Sequence, residues 1–369
     1  MKQIVSIIVV VSALFMAATV RAETAYQVDE IRNDLNFPWS LAFLPDGDFL
    51  ISEKTGALIR LSADGSNKVT IANVPEVLVA GQGGLQDVIL DRNFASNQTL
   101  YISYAIGDGK DNYLRVISAK LIDDSLEQIN IILTTRPGKP TTHHYGARMA
   151  QMPDSTLLIL HGDAFQFRDK AQSLDNHFGK ILRIKTNGEI PDDNPFLTTE
   201  GALPEIYSYG HRNQQAILVT DEGLIWSHEH GPKGGDELNL IEAGVNYGWP
   251  AITHGTDYSG ALISPFQASE TMAEPKAYWT PSIAPAGMAH YTGDNFADWH
   301  GDLFVASLRE RSIRRIELKD NEVVGQELLL TDRNERMRDI RMAVDGNLYI
   351  LTDGNPGKLL RLAPSSEQP

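Results

Sequence analysis

The chain has 369 residues, 42% of them hydrophobic and 22% charged, a composition typical of a globular protein rather than a disordered one. Acidic residues outnumber basic residues 48 to 32, and the formal charge of -16 excludes a broad electrostatic surface for nucleic acid or anionic lipid. The absence of cysteine excludes disulfide frameworks, thiolate nucleophiles and iron–sulfur clusters.

The first predicted element is an N-terminal targeting segment. Lys2 is followed by an apolar run over residues 4–20, which ends in Val20-Arg21-Ala22, with small residues at the -3 and -1 positions of a cleavage site. This layout predicts a signal peptide over residues 1–22 that directs the mature chain, residues 23–369, to the periplasm. A membrane anchor is the alternative, because a run of about 17 apolar residues is at the lower limit for crossing a bilayer. No later segment is long and apolar enough to span a membrane.

Beyond the targeting segment one pattern recurs six times. A turn containing Gly, Asp or Asn leads into a short strand of aliphatic and aromatic residues, and a second strand often ends in Arg and an aliphatic residue. The six copies begin at Asp46, Asn97, Asp154, Glu222, Gly301 and Asp345. One such unit cannot bury its own faces, so the units must stack, as four-stranded blades do around an axis. The pattern predicts one all-β domain folded as a six-bladed β-propeller with functional loops on one face. A two-sheet sandwich is the alternative, but it gives no reason for six similar units.

Five segments depart from this strand pattern and combine Gly or Pro with His, Arg, Asn or Gln. They cover residues 80–85, 142–148, 209–214, 227–239 and 333–339. Insertions between structural repeats are where binding and catalytic residues concentrate, so these loops are the candidate functional segments.

In chain order, these loops and their neighbours carry a recognisable series of motifs. The motifs are GHRN at 210–213, EHGPKGGDELNLI at 229–241, NYGWP at 246–250, PSIAP at 281–285 and RMRD at 336–339. Together they resemble the soluble quinoprotein aldose sugar dehydrogenases, the glucose/sorbosone dehydrogenase family that uses pyrroloquinoline quinone (PQQ). The resemblance extends from about residue 37 to residue 361, nearly the whole mature chain.

PQQ is a flat tricyclic quinone with three carboxylates, so a site for it requires cations at its rim. Arg336 and Arg338 alternate, so that on a strand both would point to the same side, and guanidinium groups bind carboxylates through paired hydrogen bonds. Taken alone, they could be surface arginines paired to Asp332 and Asp339. The resemblance instead assigns them to the cofactor, and it assigns Arg309, where some members carry Lys, to the same role.

The resemblance also implies residues close to the quinone. Arg212 would stabilise charge that develops on the ring during reduction, and Asn213 would lie beside it. Gln82, in a glycine-flanked turn, would hydrogen-bond the edge of the cofactor, and Tyr258 would be a further contact.

His144 is the candidate general base, because an imidazole is the side chain best suited to take a proton near neutral pH. The residues alone leave the choice between His143 and His144 open. The family pattern, in which the histidine is followed by one residue, a small residue and Arg, selects His144. Asp163 would then hold the other ring nitrogen of the imidazole.

The resemblance implies two calcium sites, since calcium is bound by oxygen donors. The carbonyl groups of Gly231 and Pro232 would hold one ion together with PQQ. Glu237 and Tyr247 would hold a second, structural ion. The HEH sequence at 228–230 also suggests zinc, but it lacks the i, i+4 histidine spacing of helical zinc sites.

These features predict a periplasmic, calcium- and PQQ-dependent enzyme that oxidises aldose sugars to lactones and passes electrons to a separate acceptor. The sequence leaves open whether it is a monomer or a homodimer. A calcium-dependent, lactonase-like propeller hydrolase is one alternative, although its chemistry would leave the four arginines without carboxylates to bind. A non-catalytic binding propeller is the other, although it does not account for the His, Asp and Arg residues of the loops.

Overall fold

The structure is a computed structural model that describes residues 24–365. In this part of the chain the strands form six four-stranded antiparallel sheets arranged as the blades of a propeller, which confirms the predicted fold. The signal peptide predicted over residues 1–22 lies outside the described residues. Within them, no helix has the length and apolar character needed to cross a membrane.

The first described strand, β1 (Tyr26–Leu35), belongs to the last blade, and blades 1 to 3 follow it in chain order. Blade 1 contains β2 (Pro38–Phe43), β3 (Phe49–Glu53), β4 (Leu58–Leu61) and β5 (Lys68–Thr70). Blade 2 contains β6 (Leu85–Leu90), β7 (Thr99–Gly107), β8 (Asn112–Ile122) and β9 (Ser125–Thr134). Blade 3 contains β10 (Met149–Gln151), β11 (Leu157–His161), β12 (Lys180–Ile184) and β13 (Ile206–Tyr209).

Blades 4 to 6 complete the ring. Blade 4 contains β14 (Gln214–Val219), β15 (Ile225–Glu229), β16 (Asp236–Ile241) and β17 (Ala277–Trp279). Blade 5 contains β18 (Pro285–His290), β19 (Leu303–Ser307), β20 (Ser312–Lys319) and β21 (Glu322–Leu329). Blade 6 contains β22 (Met337–Met342), β23 (Leu348–Thr352), β24 (Gly357–Pro364) and β1. The helical segments of the described chain are short, namely α1 (Phe94–Asn97) and the 3₁₀ turns Arg168–Gln172, Ala297–Trp299 and Thr331–Arg333.

The recurring sequence pattern marks the second strand of each blade. The central residues of the repeated strand are Phe49, Leu100, Leu157, Leu224, Leu303 and Leu348. Five of them lie on β3, β7, β11, β19 and β23, and Leu224 of blade 4 directly precedes β15. Every residue of β11, β19 and β23 is buried, because a second strand is flanked by two strands and both faces of its blade are covered. A strand buried on both faces has a continuous apolar run instead of an alternating one, and such a run is easy to recognise in a sequence.

Strands from both ends of the described chain close the ring. β1 pairs antiparallel with β24, from Tyr26 opposite Pro364 to Leu35 opposite Gly357. The innermost strands β2, β6, β10, β14, β18 and β22 contact one another in a closed circle. Closure gives every blade two neighbours, so that the apolar faces of all six are covered.

All five candidate loops lie at one end of the propeller, which we call the site face. Because the strands of a blade are antiparallel, each innermost strand begins at the end where the second strand finishes. Four loops (80–85, 142–148, 209–214 and 333–339) lead into innermost strands, and the fifth (227–239) spans the turn after the second strand of blade 4. The predicted gathering of functional loops on one face is therefore confirmed.

A buried charge network lies at the centre of the propeller. Arg148 donates to Oδ1 of Asp87 and to Oδ2 of Asp339, both at 3.1 Å, and its guanidinium lies 4.1 Å from the centre of the Trp39 ring. Arg341 donates to Asp339 as well, at 3.2 Å. The network joins blades 1, 2, 3 and 6, and buried charges of this kind stay stable because each is paired and hydrogen-bonded.

Candidate active site

His144 is buried, and its imidazole is held in one orientation. Its Nδ1 lies 2.6 Å from Oδ1 of Asp163, and its backbone N–H donates to Oε1 of Gln82 at 2.7 Å. Trp249 donates its indole N–H to the second oxygen of Asp163 at 2.8 Å. The Trp249–Asp163–His144 chain thus fixes the carboxylate, which in turn fixes the imidazole.

The electrostatic surroundings keep His144 neutral and Asp163 charged. Burial lowers the pKa of His144 to about 4 and outweighs the opposing effect of Asp163. Burial by itself would raise the pKa of Asp163, but the hydrogen bond with His144 and the charge of Arg212 hold it below its usual value. An ionised Asp163 can only accept hydrogen bonds, so the ring proton lies on Nδ1 and Nε2 is left as a proton acceptor.

The two adjacent histidines differ sharply in their surroundings. His143 is exposed, its carbonyl oxygen accepts a hydrogen bond from the ammonium group of Lys139, and its ring lies beside Phe165. Among the described residues, His144 has a carboxylate partner and His143 has none. This contrast favours His144 as the base.

Arg212 places a fixed positive charge next to this pair. Its side chain is buried and donates to the carbonyl groups of His230 at 2.9 Å and Gly231 at 2.8 Å. Its backbone N–H donates to one oxygen of Glu229 at 2.9 Å, and the other oxygen lies 2.9 Å from Nδ1 of His211. The GHRN motif is therefore anchored to the strand that precedes the Gly-Pro turn.

A cavity of about 280 Å³ opens at the centre of the site face. Four of the residues predicted to bind the cofactor line it: Gln82, Asn213, Arg336 and Arg338. Asn213 is buried, and its carbonyl oxygen accepts the backbone N–H of His230 at 3.1 Å. We call this space the central cavity.

The two arginines of the Arg-x-Arg motif enter the central cavity together. As predicted from their spacing, both side chains lie on one side of the chain, where they share the carboxylate of Asp353 at 2.8 Å and 3.0 Å. Their partner is therefore neither Asp332 nor Asp339. Asp339 is taken up by the buried network at the propeller centre.

A second cavity, of about 450 Å³, adjoins Arg212, and we call it the side cavity. Phe165, Trp249 and Tyr258 supply aromatic walls, and Pro232 contributes to the lining. The hydroxyl oxygen of Tyr258 lies 3.4 Å from the guanidinium of Arg212, and the Phe165 ring packs edge-on against His144 at 5.2 Å. A concave space with aromatic walls and a few fixed polar groups is typical of small-molecule sites.

Arg309 does not join the other predicted cofactor residues. It is exposed and lines a separate cavity with Pro281, Glu310 and Arg314, whereas its neighbour Leu308 lines the central cavity. Residues 308 and 309 lie in the turn between β19 and β20, where their backbone N–H groups donate to the carbonyls of Ala284 at 2.9 Å and Ile283 at 3.1 Å. Arg309 is therefore not among the residues that line the central cavity, and its role at the cofactor stays a prediction.

The Gly231-Pro232 step has oxygen donors of the type that calcium binds, but few of them. The Gly231 carbonyl already accepts a hydrogen bond from Arg212, which leaves one of its two lone pairs for a cation. Asp236 accepts the Gly231 N–H at 2.8 Å and so fixes the turn. Calcium takes six to eight oxygens, so most of the ligands would have to come from a cofactor and water. Within residues 24–365, no group of three or more His, Cys, Asp or Glu side chains is arranged to hold a metal ion.

Glu237 lies in an environment that favours a cation, whereas the side chain of Tyr247 is engaged elsewhere. Burial and the nearby carboxylates of Glu229 and Glu274 raise the pKa of Glu237 well above its usual value. Asn239 donates to Glu237, and its buried Oδ1 has no hydrogen-bond partner. The Tyr247 hydroxyl donates to a carbonyl of β16 at 2.8 Å, so its own backbone carbonyl is the oxygen that remains for a metal ion.

Several residues of the site escaped the sequence-based prediction. Trp249 and Asp236 belong to the recognised motifs, so the motifs were the available signal, but their hydrogen-bonding roles appear only in the structure. Asp236 accepts backbone N–H groups from both the Gly-Pro turn and the PSIAP segment, and so joins two motifs. Asp353 pairs with the two arginines, and Lys54 lines the central cavity. Neither residue belongs to a recognised motif, so the sequence offered no indication of these roles.

Comparisons with known proteins identify the family of the chain. A family model for glucose/sorbosone dehydrogenases matches residues 35–361. The chain belongs to this family. It is 38% identical over 370 residues to the aldose sugar dehydrogenase YliI of Escherichia coli, and the match covers 98% of each chain.

Solved structures of relatives share the propeller. The crystal structure of the soluble aldose sugar dehydrogenase of E. coli in its apo form superposes with a TM-score of 0.89 at 36% identity and covers 92% of this chain and all of that one. The PQQ-bound form of an aldose sugar dehydrogenase from Streptomyces coelicolor gives a TM-score of 0.72 at 26% identity, with 92% and 99% of the chains covered. These named relatives are sugar dehydrogenases, which supports an oxidoreductase activity for this chain.

Proposed function

We propose that the mature chain is a periplasmic aldose dehydrogenase that oxidises the anomeric carbon of aldose sugars to lactones, with PQQ as cofactor and calcium bound beside it. The observation that carries the proposal is a buried His144 that is oriented by Asp163. The residues that follow it, Tyr145 and Gly146, line the cation-rich central cavity, and its ring packs against Phe165 of the aromatic side cavity. Membership of the family supports sugar oxidation. The cofactor, metal and base go beyond it.

The charge of the central cavity suits a polyanionic cofactor. Lys54, Arg336 and Arg338 contribute three positive charges, and Asp353 removes one, which leaves a net charge of +2 in a chain whose total is -16. Cations gathered around a cavity without enough carboxylates to pair them are costly unless a ligand supplies negative charge. Three carboxylates of PQQ would satisfy them.

His144 would act through its unprotonated Nε2, which takes the proton of the anomeric hydroxyl group while the C1 hydrogen leaves with its electron pair. Asp163 would stabilise the imidazolium that results and keep the ring in place. Arg212 would hold positive charge close to the reacting atoms. When bound, PQQ supplies the two-electron acceptor that no side chain of this protein can provide.

Calcium would be held by the carbonyls of Gly231 and Pro232, where it would act as a Lewis acid towards an oxygen of the cofactor. A structural calcium ion would neutralise Glu237 and bind the Tyr247 carbonyl. The electrons would pass on to an external acceptor. The protein would act as a monomer or a homodimer.

The alternatives are less well supported by the geometry. A calcium-dependent hydrolase does not require the excess of cations in the central cavity, and a non-catalytic binding propeller does not require the His144–Asp163 pair.

The experiment that tests the proposal uses the purified full-length mature protein. It is incubated with PQQ and calcium chloride, and aldose-dependent reduction of a redox dye is followed together with the quinone absorption. We expect activity that requires both additions and a lactone product. Hydrolysis of a lactone by the protein without PQQ, or the absence of PQQ binding, would overturn the proposal.

A further inference from the structure

Lys54 is a cation of the central cavity that the sequence motifs do not include. It directly follows β3, lines the cavity and donates its ammonium group to the Gly81 carbonyl at 2.6 Å. No carboxylate among residues 24–365 lies within ion-pair distance of it. Burial and the nearby charge of Arg338 lower the pKa of Lys54 and outweigh the opposing charge of Asp353, so the structure brings two like charges together beside the same cavity.

The backbone holds Lys54 firmly in this place. Its N–H donates to the Phe37 carbonyl at 2.9 Å, and its carbonyl accepts the Leu85 N–H at 3.2 Å. Gly84 packs so closely that a Cβ there would come within 2.1 Å of the Lys54 carbonyl oxygen, which only glycine permits. A side chain anchored between two blades is preorganised for binding, which reduces the entropy lost when a ligand is captured.

Lys54 lines the central cavity, whereas Arg309 lines a separate one. With Arg309 in a separate cavity, Arg336 and Arg338 alone would face the three carboxylates of PQQ. We propose that Lys54 binds a carboxylate of PQQ and provides the third cation of the site, the role that the resemblance to the family gives to Arg309. This inference rests on the proposed function, because it takes PQQ as the occupant of the central cavity.

The test measures the binding of PQQ to the apoprotein by titration calorimetry and by quinone absorption, independently of turnover. Lys54→Gln removes the charge and keeps a polar side chain, Lys54→Met is a second neutral variant, and Lys54→Arg keeps the charge. Arg309→Gln is the matched control, since it removes one cation from the neighbouring cavity. Thermal melting of each apoprotein shows whether the variant folds.

We expect Lys54→Gln and Lys54→Met to raise the dissociation constant of PQQ by roughly 10- to 100-fold, as the loss of a charged hydrogen-bond partner predicts. Lys54→Arg should recover most of the affinity, and Arg309→Gln should stay within about threefold of the wild type, as expected for an exposed charge outside the site. The affinity of Lys54→Gln should also depend less on salt, because one fewer ion pair forms.

The outcomes separate this inference from the proposed function. If the wild-type protein binds PQQ and the two neutral Lys54 variants bind it equally well, the role of Lys54 is wrong and the proposed function stands. If Arg309→Gln weakens PQQ binding as much as Lys54→Gln, the proposal that Lys54 provides the third cation in place of Arg309 is wrong. If the wild-type protein does not bind PQQ, both are overturned.

Discussion

The replacement Asp163→Asn tests how the site controls its base, because the two oxygens of Asp163 have different partners. Oδ1 accepts hydrogen bonds from Nδ1 of His144 at 2.6 Å and from the Phe165 N–H at 2.8 Å, whereas Oδ2 accepts one from Trp249 at 2.8 Å. An asparagine keeps more hydrogen bonds if its oxygen takes the Oδ1 position. Its amide group then faces the indole N–H of Trp249, donor against donor.

Two separate effects follow from this geometry. The unpaired, buried Trp249 N–H should destabilise the fold by about 1–3 kcal/mol. Loss of the carboxylate charge should also lower the pKa of His144 further, because Asp163 is the group that raises it against burial. A weaker base without a counter-ion for its imidazolium should reduce kcat by roughly 10²- to 10⁴-fold. PQQ affinity should change little, because Asp163 is not among the residues lining the central cavity.

Unfolding midpoints in urea and kcat at saturating PQQ, calcium and sugar separate these effects. Trp249→Phe removes the unpaired donor, so adding it to Asp163→Asn should recover part of the lost stability and little of the lost turnover. Trp249→Phe alone should reduce kcat far less than Asp163→Asn. If Asp163→Asn keeps kcat within about threefold of the wild type, an effect too small for a base that has lost its counter-ion, the assignment of the His144–Asp163 pair is refuted.

Four further outcomes are expected. PQQ in excess over calcium-loaded apoprotein should raise the melting midpoint, with about 2.7 kcal/mol of stabilisation at a hundredfold excess over Kd; an unchanged midpoint in calorimetry argues against a PQQ site. His144→Gln should cut turnover by roughly 10²-fold or more with little change in PQQ affinity, whereas His143→Gln should do far less; equal losses would show that the wrong histidine was chosen. Arg338→Ala should weaken PQQ binding by roughly 30- to 150-fold, and Arg336→Ala should weaken it less, because Arg336 is more exposed. Titration of PQQ into both variants measures the two affinities, and the opposite ranking would contradict this reasoning. Because folding lowers the pKa of His144 to about 4, the native state binds fewer protons than the unfolded state, and stability should fall as the pH drops from 6.5 towards 4. The loss is about 2 kcal/mol by pH 5 from this residue alone, and urea unfolding of His144→Gln should show a correspondingly shallower dependence.

The architecture could be predicted because each blade repeats the same local chemistry. Gly, Asp and Asn allow the tight turns, and the second strands carry continuous apolar runs since both faces of a blade are buried. These are short-range properties that a sequence displays directly. The pairing of β1 with β24 is different, because it joins segments more than 300 residues apart and the partly exposed β1 has no regular alternation of buried and exposed residues.

The site shows the same division. The motifs identified the Arg-x-Arg pair and its common orientation, since side-chain alternation along an extended chain is local. The carboxylate that pairs with both arginines belongs to Asp353, which directly follows the next strand, β23. No spacing rule points to it.

What the sequence by itself determined is the kind of residue available at the site face: histidine, carboxylates, arginines and glycine-rich turns in loops that a propeller gathers at one end. What only the tertiary structure decided is which of them meet. Arg309 and Lys54 are both cations in the turn after a second strand, Lys54 as its first residue and Arg309 as its second. Arg309 lines a separate cavity beside the turn between β19 and β20, whereas Lys54 is packed tightly between blades 1 and 2 and lines the central cavity. Electrostatic contacts depend on distances of a few ångströms between segments far apart in the chain, and only the packed blades set those distances.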